Sequence, residues 1–212
     1  FDALNGKGII DKVLIPLVAS PLAGFFMGYL IMWIIYWVCS RMPRRKVNGA
    51  FRRLQLVSAA FMATSHGLND AQKSMGILTL VLLLGGFIPK FEVPFWVMLA
   101  CAIAITLGIL SGGWRIVRTL GFAIFRVRPI HALSSQLTSA IVILSASVIG
   151  APVSTTHVVA TSIMGIGSAD NPRAVRWKKA VDIAKTWVIT IPASALTAIV
   201  CYALARIILG QH

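Results

Sequence analysis

Ser65-His66-Gly67-Leu68-Asn69-Asp70-Ala71-Gln72-Lys73-Ser74 sets a carboxylate, an ammonium, an imidazole and two amides inside an otherwise apolar run. The run extends from Leu54 to Pro89, and Asp70 and Lys73 are its two formal charges, near its middle rather than at an end. At bilayer depth an ionisable side chain costs about 2.5 to 3.5 kcal/mol even on the lenient insertion scale, so such groups mark ion or substrate pathways. On a helix His66 stands i,i+4 from Asp70, and Asn69 stands i,i+4 from Lys73, so the four cover one broad face and can converge on one site. The plainer alternative is an internal Asp70–Lys73 ion pair that merely neutralises itself. Gly67 and Gly85-Gly86 are points where a helix can loosen, and unwound carbonyls at the midplane are what transporters use to hold Na⁺. Because the run is too long for one straight crossing and too short for two, a broken helix is expected.

A second polar insertion, Pro152-Val153-Ser154-Thr155-Thr156-His157, follows the Gly150 turn. With proline in the first turn of a helix, the orphan N–H groups and the hydroxyls of Ser154, Thr155 and Thr156 form a donor-rich anion site at the positive end of the helix dipole. Ordinary Ser/Thr packing between membrane helices is the alternative. An anion held there would be repelled by Asp70. A Na⁺ on Asp70 and Asn69, or a proton, removes the repulsion and makes anion binding depend on cation binding, which is the thermodynamic core of symport. A partly protonated oxyanion such as phosphate can also donate a hydrogen bond to the carboxylate, as sulfate near neutral pH cannot.

The elements that must position these groups are apolar spans. Of the 212 residues, 58% are hydrophobic and 12% charged, and the mean hydropathy is +0.84. That balance excludes an ordinary soluble globule and gives an all-α polytopic membrane protein. The charge-free runs Val13–Ser40, Val93–Trp114, Pro129–Ala169 and Thr186–Ala205, together with Leu54–Pro89, supply about six crossings, two of them meeting at Gly150-Ala151-Pro152. A net charge of +14 would suit a nucleic-acid binder if position were ignored, but the basic residues gather at 41–53, 115–128 and 171–185. By the positive-inside rule these are cytoplasmic connections, with Pro43 and Asn48-Gly49 turning the first and Gly112-Gly113 introducing the second as an interfacial helix. Both ends of the chain then lie on the outer side of the cell membrane. Cys39, Cys101 and Cys201 are isolated and read as core residues.

Ser65 to Lys73, continued by Ser74-Met75-Gly76-Ile77, closely resembles the second signature of the inorganic phosphate transporter (PiT) family. Pro152 to His157 is similar to that family's other recurring motif, and Gly113-Trp114-Arg115-Ile116-Val117 fits its pattern too. The resemblance implies a secondary transporter of two inverted repeats that moves inorganic phosphate with sodium or protons. On the matching positions it implies Asn69, Asp70 and Gln72 at phosphate or its coupling cation, and Ser154, Thr155 and Thr156 at phosphate. His66, Lys73 and His157 would support them, and sodium, if used, would sit on Asp70 and Asn69. Leu68 stands where Ala is usual, a larger side chain beside the site. Each motif occurs once, so the chain, which opens at Phe1, matches one repeat, the C-terminal half. An N-terminal half is the expected partner, beside the lipid bilayer and a homodimeric copy, with no nucleic acid and no cofactor beyond the coupling ion.

Other classes fit less well. An intramembrane hydrolase using Ser65 and His66 lacks a Gly-x-Ser-x-Gly turn, and His66 with Asp70 gives two metal ligands where hydrolases use three. Transport of another oxyanion such as sulfate, or a non-transporting subunit or phosphate sensor, shares these sequence features.

Overall fold

The computed structural model describes residues 14–41 and 44–208, and they are helical with short connections. Two compact units divide the chain at Val175/Arg176.

In the first unit, α1 (Ile15–Cys39) and α2 (Arg44–Leu84) are followed by α3 (Phe95–Arg118), a π-helical turn (Thr119–Ile124), α4 (Pro129–Ile149) and α5 (Thr155–Asp170). A 3₁₀ turn, Pro172–Ala174, ends the unit. Along α1, the residues Ser20, Gly24, Gly28 and Met32 recur every fourth position and are buried, while Phe26, Trp33 and Trp37 point outward. That stripe packs on α5, and its glycines let the backbones meet. A Cβ on Gly24 would lie 2.9 Å from the Val158 carbonyl oxygen, and one on Gly28 would lie 2.7 Å from that of Ser162. Gly165 of α5 meets the Phe25 carbonyl in the same way. Small residues bring membrane helices together where lipid leaves little hydrophobic drive.

Polar side chains join the other helices. Ser58 donates to Gln136 Oε1 at 2.6 Å and Asn69 Nδ2 to Ser147 Oγ at 2.9 Å, so α2 and α4 run in the same direction. Ser162 of α5 shares hydrogen bonds with Ser135 and Ser139 of α4, at 2.8 and 3.1 Å.

The expected turn at Gly150 is present, and Gly86, read as a point where a helix can loosen, follows the end of α2. After α2, Gly86 at φ +73° is flanked by Gly86 N–H to Leu83 O and Phe87 N–H to Leu82 O, and after α4, Gly150 at φ +73° repeats the pattern with Ser147 O and Ala146 O. These are Schellman caps, which use the left-handed conformation that glycine adopts freely.

Several expectations are corrected. The run from Leu54 to Pro89 is not a broken helix, since α2 is one continuous α-helix of 41 residues, about 62 Å long. A glycine inside a helix costs only about 1 kcal/mol relative to alanine, so neither Gly67 nor Asn48-Gly49 interrupts it. Residues 44–53 therefore belong to α2 rather than to a loop, and Pro43 lies outside the described residues, as does Val13. Gly112-Gly113 likewise sits inside α3, which runs on to Arg118.

In the second unit, α6 (Trp177–Ile208) carries Pro192 and starts nine residues before the expected span, taking Lys178, Lys179 and Lys185 into its first turns. Among the described residues, α1, α3 (95–114), α4 and α6 (177–204) are long and apolar enough to cross a membrane. The chain is thus an all-helical membrane protein. Two of the six expected crossings differ in kind, for α2 carries the charged stretch and α5, at 16 residues, measures about 24 Å against a hydrocarbon core of about 30 Å.

Candidate functional site

The two polar insertions face each other. A cavity of about 390 Å³ is lined by Asp70 and Lys73 of α2, by Leu17 of α1, and by Pro152, Val153, Ser154, Thr155 and Thr156 at the entry to α5. These side chains come from residues about 80 apart in sequence, and the Schellman turn at Gly150 is what returns the chain to α2.

Asp70 is the hub. Its Oδ1 accepts from Lys73 Nζ at 3.0 Å, and its Oδ2 accepts from Thr155 Oγ1 at 3.3 Å with His66 Nδ1 at 3.5 Å. Lys73 Nζ also donates to the Val153 carbonyl oxygen at 2.6 Å. The self-neutralising ion pair is therefore present, and it reaches across to the extended segment before α5. Asp70 and Lys73 are 33% and 37% exposed, so the pair borders the cavity rather than lying sealed in a core.

The entry to α5 differs from expectation by one turn. Pro152 is not in the first turn. Ser154 is the N-cap, its carbonyl accepting the Val158 N–H at 3.1 Å, and the helix opens at Thr155. Proline and the residue before it favour extended backbone, which suits the segment leading into the cap. The Ser154 side chain makes no capping hydrogen bond, so its hydroxyl borders the cavity without that duty. Thr155 is buried and its hydroxyl is committed to Asp70, whereas Thr156 is exposed. N–H groups of a first helical turn have no intrahelical acceptor and carry the positive end of the dipole.

Other expected residues are placed elsewhere. Successive residues on a helix point about 100° apart, so Asn69 faces α4 while its neighbour Asp70 faces α5. Asn69 is buried, bonded to Ser147, and its Oδ1 has no hydrogen-bond partner among the described residues. The two expected cation ligands thus turn towards different helices. Gln72 is exposed and does not line the cavity. His157 is half-buried in the first turn of α5, also outside the lining.

The contact of Lys73 with Val153 and the part of Ser147 escaped sequence reasoning, because both depend on neighbours far along the chain. So did a polar cluster at the other end of α5, where Asp170 accepts from Tyr36 Oη and has His131 Nε2 at 3.5 Å. The Gly24-x-x-x-Gly28 spacing was the legible signal for the α1–α5 contact.

Chemically, the cavity offers a fixed ammonium, free or shared hydroxyls and a helix N-terminus to an oxyanion, and one carboxylate to a cation or proton. Comparisons with known proteins give the family and the fold. Residues 39–198 match the model of the phosphate transporter family. The chain is 40% identical over 209 residues to a probable low-affinity inorganic phosphate transporter of Bacillus subtilis, and 41% identical over 209 residues to one of Rhizobium meliloti. In both cases 98% of this chain is covered and it spans 62% of the relative's length. A solved structure described as the sodium-dependent phosphate transporter superposes with a TM-score of 0.68 at 22% identity, covering 95% of this chain and 61% of that one. At that identity the likeness establishes the fold.

Proposed function

The chain belongs to the phosphate transporter family, and we propose that it forms one half of a pathway that carries inorganic phosphate across the membrane by symport with a cation, sodium or proton. The observation that carries this reading is the meeting of Asp70, Lys73 and the Ser154–Thr156 helix start around one cavity. Phosphate would rest against the α5 N-terminus, with Ser154 and Thr156 donating and the Lys73 ammonium balancing its charge. Asp70, already hydrogen-bonded by Thr155 and Lys73, keeps lone pairs that can accept the O–H of a protonated phosphate. That preference separates phosphate from sulfate. Both the transporter relatives' names and the sodium-dependent neighbour's name support the reading.

The basic segments at 41–53, 115–128 and 171–185 would lie on the cytoplasmic side, and a second half of the protein would close the site from the opposite face.

Uptake of radiolabelled phosphate into vesicles carrying the full-length protein tests the function. An imposed inward cation gradient is expected to drive accumulation, and equal sulfate is expected not to compete. Uptake indifferent to both sodium and proton gradients would refute symport, and displacement by sulfate would refute the phosphate preference.

A further inference from the structure

We propose that Lys73 decides which cation this site accepts: its ammonium occupies the place beside Asp70 that a free sodium ion would take, so the Asp70 site of this protein does not bind sodium. The proposal takes from the preceding section the idea that the cavity serves transport, but its sodium term stands on the geometry alone.

Around Asp70 the chain gathers the oxygen set that a small hard cation uses. The two carboxylate oxygens, the Thr155 hydroxyl and the Val153 carbonyl lie together, and Val153 belongs to the non-helical segment between α4 and α5. A carboxylate with an unwound backbone carbonyl is how membrane transporters hold sodium. Here that position is filled from within. Lys73 Nζ stands 3.0 Å from Asp70 Oδ1 and 2.6 Å from Val153 O, bonded to both. An ammonium has three N–H donors, so one is left for an oxygen of the substrate.

The consequence for sodium is electrostatic. A sodium ion on the same carboxylate would come within about 4 Å of the ammonium, and at an effective dielectric near 20 that repulsion lowers affinity by up to about a thousandfold. Both side chains are about one third exposed, so solvent screening reduces the effect. A difference of at least roughly tenfold remains measurable.

Equilibrium binding of radioactive sodium to the purified full-length protein, at ionic strength held constant with choline, tests the proposal. Wild type and Lys73→Arg are expected to show no saturable sodium binding that Asp70→Asn removes. Lys73→Gln is expected to gain such binding, and the double variant Lys73→Gln/Asp70→Asn to lose it again. Asp70-dependent sodium binding by the wild type within tenfold of that of Lys73→Gln would overturn the proposal. A folded, monodisperse Lys73→Gln that gains no sodium binding would overturn it too. Should Lys73→Gln fail to fold, the comparison of wild type, Lys73→Arg and Asp70→Asn still decides. Because sodium rather than phosphate is read, a wild type that fails to bind phosphate would overturn the transport reading and not this one.

Discussion

Replacing Gly28 by alanine probes the contact that seats α5, and with it the wall of the cavity. A Cβ at this position would stand 2.7 Å from the Ser162 carbonyl oxygen and 3.2 Å from its Cα, both backbone atoms, where ordinary contact begins at 3.4 Å. The helices must therefore separate by about 3.4 − 2.7 = 0.7 Å locally. No side chain can rotate away to absorb this. Ser162 in turn is bonded to Ser135 and Ser139, so the displacement also strains the α4–α5 contact. Overpacking costs about 1 to 3 kcal/mol, and with backbone atoms as the obstacle the upper part of that range, about 2 to 3 kcal/mol, applies, of which the better helix propensity of alanine returns about 1 kcal/mol. The net expectation is a loss of about 1 to 2 kcal/mol, which for a chain of this size lowers Tm by roughly 2 to 8 °C. Thermal unfolding of the purified protein in detergent reads it. Gly108→Ala is the control, because a Cβ there meets nothing within 4 Å, and its Tm should hold or rise. A Gly28→Ala protein as stable as wild type would refute the close-approach account of α1 and α5.

Asp70→Asn is expected to leave membrane insertion intact, since it removes a charge from α2, while abolishing cation-driven accumulation of phosphate in vesicles; retained coupled uptake would remove Asp70 from the mechanism. Thr155→Val keeps the side-chain volume but deletes the donor to Asp70, a charged hydrogen bond at the long distance of 3.3 Å. Its expected cost is about 1 kcal/mol, roughly fivefold in phosphate Kd, and an unchanged affinity in a radioligand assay would return Thr155 to packing.

The membrane character and the turn at Gly150 were legible because lipid and left-handed backbone leave few choices. An uncharged run of 22 residues announces α3, and Gly150-Ala151-Pro152 announces a turn, whereas Gly85-Gly86 announces only a loosening where α2 in fact ends. Continuity through Gly67, Asn48-Gly49 and Gly112-Gly113 was not legible. Local glycine penalties suggest breaks there, but a long helix with neighbours along its length tolerates them. The identity of the two polar insertions as one site was argued from their chemistry, and the cavity joins them. The division of labour inside the site was hidden for a different reason. Helical spacing put His66, Asn69, Asp70 and Lys73 on one broad face, yet α4 and α5 lie on opposite flanks of that face and draw Asn69 and Asp70 apart. Equally, no local pattern tells that the Lys73 ammonium reaches a carbonyl 80 residues away.

The claim that the cavity between α2 and the start of α5 receives phosphate is met most directly by ligand protection. Ser154→Cys in full-length protein with every native cysteine, Cys39, Cys101 and Cys201 among them, replaced by serine places one thiol on the cavity wall, where a hydrophilic thiol reagent can follow its modification. Phosphate should slow that modification in a saturable manner, and sulfate at the same concentration should not. A modification rate that phosphate leaves unchanged, or slows no more than sulfate does, would contradict the site.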